Sequence, residues 1–136
     1  MPMTYSEKIL VASNAKKSPK IFFDLSENLA SIGELNYVKI YNGRIMASNV
    51  LSENGKKQPV TDIGQENIVG VELLVDVSTK VIQFFSITSS VKGCGKKIVH
   101  SVLEATPKDW HVVVVMDWSK GFWQIMSDRY PRLIIS

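Results

Sequence analysis

The sequence predicts an α/β (α+β) fold: a mixed, mostly antiparallel central sheet with one parallel strand–helix–strand crossover. Three observations carry that expectation. Asn42-Gly43 stands between the alternating runs 37–40 and 44–48, the strongest short-range signal for a hairpin. Residues 68–75 and 80–87 are apolar runs separated by a tight turn at 76–79, which gives a second hairpin. From residue 80 the chain reads strand, glycine-rich turn, helix and β-branched strand as far as residue 116. Two strands joined by a helix are expected to run parallel, while the remainder of the sheet is expected to be antiparallel.

The elements follow in order. Ile9-Leu10-Val11 is an apolar triplet ahead of a polar turn that ends at Ser18-Pro19. Ile21, Phe22, Leu25, Leu29 and Ile32 recur at spacings of three and four, the pattern of a short amphipathic helix ending at Gly33. Residues 52–66 form a polar loop. The helix after Gly93 presents Ile98, Val99, Val102 and Leu103 on one face and stops before Pro107. Residues 110–116 suit a buried central strand. Asp117 or Ser119 is placed to cap a last helix carrying Phe122, Trp123, Ile125 and Met126, and Leu133-Ile134-Ile135 is a short last strand.

A chain of 136 residues makes a single domain, residues 1–136, with room for a real core. Apolar residues at 45% and charged residues at 21% match a folded globular chain rather than a disordered one. The single cysteine, Cys94, excludes an internal disulfide framework. No apolar run approaches the roughly 20 residues needed to span a bilayer, and the first residues lack a secretory layout. These features predict a cytoplasmic protein with no membrane partner. The net charge of +3 is spread over small lysine groups, enough for one phosphate-bearing ligand and less than a nucleic-acid surface usually shows.

The residues with most chemistry lie in the crossover turn. Ser90-Val91-Lys92-Gly93-Cys94-Gly95-Lys96-Lys97 connects an apolar strand to a helix. A helix start leaves main-chain N–H groups unpaired, and its dipole favours negative charge. Glycines allow close approach of a ligand, and lysines add charge, so a phosphate or diphosphate is the expected occupant. A dinucleotide-binding turn would need a third glycine, which Ile98 replaces; a P-loop would need Ser or Thr where Lys97 stands.

What remains is x-x-x-G-x-G between strand and helix. In this the chain resembles the GCN5-related N-acetyltransferase (GNAT) superfamily, whose members carry [RQ]-x-x-G-x-[GA] there. Residues 68–70, 80–87, 110–116 and 121–126 look like that family's third, fourth and fifth strands and its following helix. The resemblance covers residues 67–135; residues 1–66 match only in layout. Ser90 stands where the family has Arg or Gln, and Trp123 where many members have a tyrosine.

The resemblance implies an acyl-CoA N-acyltransferase-like fold and transfer of an acetyl group from acetyl-CoA to an amine. It implies main-chain contacts from Phe85 and Ile87 to the pantetheine arm, an oxyanion-type contribution of about 3–4 kcal/mol per donor. Main-chain N–H groups of Val91, Lys92, Gly93, Cys94, Gly95 and Lys96 would hold the diphosphate, and Ser119, Phe122 and Trp123 would border the cofactor. Glu72 is the candidate base and Tyr130 the candidate acid, because a neutral amine must attack and the thiolate must regain a proton. The acceptor is an amine on a small molecule, a protein or an aminoacyl-tRNA. The alternatives are a non-catalytic coenzyme A-binding regulatory or interaction module and a small basic nucleic-acid-binding protein with an incidental glycine turn. Cys94 is read as a small buried residue, His100 and His111 as surface or structural residues, and the terminal strand as a surface for pairing with a second subunit.

Overall fold

The computed structural model describes residues 8–12, 15–41, 43–52, 58–61, 67–89, 93–114 and 122–135. Along the chain these form β1 (Ile9–Val11), α1 (Lys20–Ala30), β2 (Tyr37–Tyr41), β3 (Arg44–Ser48), β4 (Val69–Asp76) and β5 (Val81–Ser89). They continue with α2 (Cys94–Ala105), β6 (His111–Val114), α3 (Phe122–Arg129) and β7 (Leu133–Ile135). The seven strands make one mixed sheet in sequential order.

Both predicted hairpins are present: β2 pairs antiparallel with β3 around Gly43, whose φ is +78°, and β4 pairs antiparallel with β5. The crossover pair β5–β6 is parallel, as expected. The expectation that the rest of the sheet is antiparallel is corrected, because β1–β2 and β6–β7 are parallel too. The cause is the same in each case. A helix between two neighbouring strands carries the chain back to the end where the first strand began, so the second strand repeats its direction.

Register decides which side chains share a face. Ile40 pairs with Ile45, Ile45 with Leu73, Val75 with Ile82, Ile82 with Val112 and Val112 with Leu133. All of these are buried. Onto this apolar face α1 delivers Ile21, Phe22, Leu25 and Leu29, and α2 delivers Ile98, Val99 and Val102, all in one core cluster. The two helices also touch directly, the Asn28 amide donating to the Ser101 carbonyl at 3.0 Å. From α3, the Trp123 ring packs against Phe84 with centroids 5.0 Å apart. Each fully buried Leu or Ile contributes roughly 1.5–3 kcal/mol of transfer free energy, so this one-sided core is the main stabilising term. Arg132 secures the last strand by donating to the carbonyls of Leu103, Thr106, Pro107 and Trp110 where α2 ends.

The opposite face is more polar. Across it run Lys39, Met46, Glu72 and Ser86, paired neighbour to neighbour from β2 to β5. Residues 58–61 fold down onto it: Leu51 bridges Pro59, and the Val60 amide donates to the Val50 carbonyl at 2.9 Å. This close descent requires Gly70, where an added Cβ would sit 2.8 Å from the Val60 carbonyl oxygen and 3.1 Å from that of Ala47.

Between Glu72 and Leu73 the β4–β5 register shifts. Glu72 pairs with Ser86 and Leu73 with Phe84, so Phe85 is an extra residue in β5. Its ring is 55% exposed.

Both atoms blocking a Cβ at residue 70 belong to main chain, so neither can move aside cheaply. Gly70→Ala is expected to lift residues 58–61 from the sheet and to cost about 1–3 kcal/mol in a urea unfolding titration.

Candidate functional site

The crossover turn arrives at α2 through Gly93, which holds φ +88°, a conformation that side-chain-bearing residues adopt only at a cost. No side chain caps this helix start. The Lys97 amide donates to the Gly93 carbonyl at 3.2 Å, beginning the helical ladder. Among the described residues, no hydrogen bond reaches the amides of Cys94, Gly95 or Lys96. These are the orphan donors of a helix N-terminus.

One stripe of α2 continues from this point. Gly93, Lys96, Lys97 and His100 lie at spacings of three and four, and with Arg129 and Tyr130 they line a cleft of about 600 Å³. Lys97 meets Glu34 at 3.6 Å. No carboxylate among the described residues pairs with Lys96 or Arg129, so the cleft keeps a positive character. Glu34 also braces the turn. A hydrogen bond from its own main chain, the Lys97 charge and hydrogen bonds from Cys94 and Lys97 outweigh its burial and hold its carboxyl below the ordinary value.

Tyr130 and His100 were reached by different routes. Sequence reasoning named Tyr130 and set His100 aside as a surface residue, yet the two meet: the Tyr130 hydroxyl lies 3.3 Å from His100 Nδ1. His100 Nε2 lies 3.1 Å from a Glu104 carboxylate oxygen. With the ring proton on Nε2, His100 donates to Glu104 and accepts from Tyr130. The i, i+4 spacing of His100 and Glu104 was a readable signal for half of this chain of contacts. The Tyr130 half depends on tertiary packing.

Glu72 sits elsewhere. It is 6% exposed on the polar face of the sheet, whereas Tyr130 contacts α2 on the helix side. Arg44 Nη1 donates to Glu72 Oε2 at 2.8 Å, and Thr61 Oγ1 donates weakly to Oε1 at 3.4 Å. A separate cavity of about 230 Å³ adjoins Glu72, lined among the described residues by Met46, Ser52, Gln58, Pro59, Val60 and Thr61. The proposed base and acid therefore line different cavities.

The remaining candidates divide by position. Gly93 and Lys96 line the basic cleft, while Cys94 and Gly95 are buried beneath it. Phe85 projects at the register break, and Ile87 is half-buried, opposite Val71. Phe122 packs edge-on against Trp123, and Trp123 is a core residue at 3% exposure. Val91, Lys92 and Ser119 lie outside the described residues, as do Asp117 and Ser90. No group of His, Cys, Asp and Glu among the described residues has the arrangement of a metal centre. No helix among them is long and apolar enough to cross a membrane.

Comparison of the chain with protein-family models, with curated proteins and with solved structures gave no match.

Cys94 sits directly between the two glycines. Burial, followed by the Glu34 charge and a hydrogen bond to Glu34, pushes its thiol above the ordinary value against the opposing pull of Lys97. The thiol form therefore persists through neutral pH, and only the thiolate alkylates. Iodoacetamide at neutral pH is expected to modify the folded protein at least about a hundredfold more slowly than the urea-unfolded chain, followed by mass spectrometry. Equal rates would place Cys94 among the reactive cysteines.

Proposed function

We propose that this protein is an acetyl-CoA-dependent N-acetyltransferase acting on an amine acceptor, with an acyl-CoA N-acyltransferase-like fold. The observation that carries the reading is a juxtaposition. A strand with an extra residue at Phe85 precedes a left-handed glycine, whose helix start carries amides with no partner among the described residues, beside Lys96. The parts fit a diphosphate-bearing thioester. Main-chain N–H groups at Gly93, Cys94, Gly95 and Lys96 are donors for the diphosphate, and Lys96 and Arg129 supply compensating charge. The extra residue stands outside the regular β4–β5 ladder, and main-chain groups of such a residue can pair with another extended segment.

The coenzyme supplies an activated acyl thioester; the protein's part is positioning and proton handling. The amides on α2 orient the diphosphate end, and β5 aligns the extended arm. A carboxylate such as Glu72 is suited to holding the ammonium of an acceptor and taking up its proton. Tyr130, hydrogen-bonded to His100, is a hydroxyl donor on the helix side.

One observation favours the second reading, a coenzyme A-binding module without turnover. Glu72 is engaged by Arg44 and lines a different cavity from Tyr130, so the two groups do not form one acid–base site as they stand.

Calorimetry with acetyl-CoA separates these readings. A micromolar dissociation constant, about −8 kcal/mol, is expected for the unaltered protein. Lys96→Ala is expected to weaken it about tenfold, the loss of one charge-assisted contact. Gly93→Val is expected to abolish it while circular dichroism still reports a folded chain. Absence of binding removes both readings. Binding without thiol release across a panel of amines leaves the non-catalytic one.

A further inference from the structure

Glu72 is the only buried carboxylate among the described residues. A buried carboxylate must be paired or hydrogen-bonded, and the way this one is paired is informative. Arg44, its strong partner, reaches it from the rim: the Arg44 side chain is 53% exposed and that of Glu72 only 7%. The Arg44 guanidinium carbon also lies 5.9 Å from the centroid of the exposed Phe85 ring. Arg44 does not line the cavity that adjoins the carboxylate.

An ionised carboxylate has roughly four acceptor positions. Arg44 takes one at 2.8 Å and Thr61 takes another at a long 3.4 Å. Among the described residues the Oε1 side is therefore weakly satisfied, and a cavity of about 230 Å³ opens beside it. At about 30 Å³ per water that space suits a molecule of only a few non-hydrogen atoms. Its lining is mostly polar, with Ser52, Gln58 and Thr61 beside the carboxylate and Met46, Pro59 and Val60 as the apolar part.

We propose that this cavity binds a small hydroxylated primary amine as its ammonium ion, which pairs with Glu72 at Oε1 and competes with Arg44 at Oε2 for the carboxylate charge. Arg44 is then a displaceable counter-ion that keeps the carboxylate neutralised while no ligand is bound. An ammonium is compact and offers three donors, whereas the guanidinium is a wide planar fork held against Phe85. The compact ion suits an approach to Oε1 from this cavity, beside the Thr61 hydroxyl. Hydroxyl groups on the ligand match a lining that includes Ser52, Gln58 and Thr61, so an alkylamine of the same size is a poorer ligand. The binding stands apart from coenzyme recognition. Naming the amine as the acceptor of acetyl transfer rests on the reading given under Proposed function.

The test uses serinol as the probe and glycerol as its uncharged counterpart, without acetyl-CoA, at a neutral pH where serinol is protonated. Thermal unfolding of the Arg44→Ala protein is expected to shift upward by several degrees with serinol and not with glycerol, because the ammonium replaces the lost guanidinium. The Arg44→Ala protein is expected to bind serinol about tenfold more tightly than the unaltered protein, since no internal cation competes. Glu72→Gln is expected to remove the response to serinol. Equal shifts with serinol and glycerol, or a serinol response that survives Glu72→Gln, overturns the proposal.

Should Arg44→Ala not fold, proton–nitrogen correlation spectra of the unaltered protein decide. Serinol is expected to move the amide signals of Thr61, Glu72 and Ser86 and glycerol to leave them in place; no movement, or movement spread over the molecule, overturns it. Because acetyl-CoA is absent throughout, failure here leaves coenzyme binding standing, and failure of coenzyme binding leaves this site standing.

Discussion

The extra residue that β5 carries at Phe85 is the constraint on which the rest of the site depends. Strict alternation along β5 would set Ile82, Phe84, Ser86 and Thr88 on one face. It would send Ile87 to the polar side. The register shift at Glu72 and Leu73 instead returns Ile87 to the helix-facing row opposite Val71, and it pairs Ser86 with Glu72 on the other face. A bulge bends and twists its strand and frees the added residue from the ladder. Two consequences share that one cause: an exposed Phe85 and a polar row containing Glu72 and Ser86.

The two sides of the sheet then carry opposite electrostatics. On the helix side, the start of α2 with Lys96 and Arg129 makes a region where anions are favoured, with Glu34 taking the charge of Lys97. On the other side a buried carboxylate dominates, covered by residues 58–61 that reach the sheet only because residue 70 has no side chain. An anionic ligand and a cationic one therefore have separate places to go. The sheet stands between them.

Local pattern made much of the fold legible. All five apolar positions assigned to the first helix are buried, and Gly43 takes the positive φ that an Asn-Gly hairpin requires. The α2 face of Ile98, Val99 and Val102 follows from its spacing alone. The rule that makes β5–β6 parallel applies equally to β1–β2 and β6–β7, each pair joined by a helix the sequence predicts; which strands are neighbours is what three-residue strands such as β1 and β7 carry too little pattern to show. The doublet Phe84-Phe85 did break the alternation of β5, which is a sequence trace of the bulge. Gly70 inside an apolar strand was likewise a trace of close main-chain approach. Neither trace says which segment approaches, so the cover over Glu72 could not be read. The contact of Tyr130 with His100 spans 30 residues and belongs to packing alone.

The pairings of Glu72 and Tyr130 bear differently on function. Tyr130 is joined to an exposed imidazole and through it to exposed Glu104, all in contact with water. Exposed contacts of this kind contribute little to stability, on the order of a few tenths of a kcal/mol each, and so exert little hold on the fold. Glu72 is the reverse: removing its partner would leave a buried charge uncompensated, a cost of about 3–5 kcal/mol. A fold does not need such a group, since a well-packed apolar pair of similar volume would serve stability as well or better. On stability alone, a carboxylate under residues 58–61, with its counter-ion at the rim and a polar cavity at its side, gains the fold nothing over such an apolar pair.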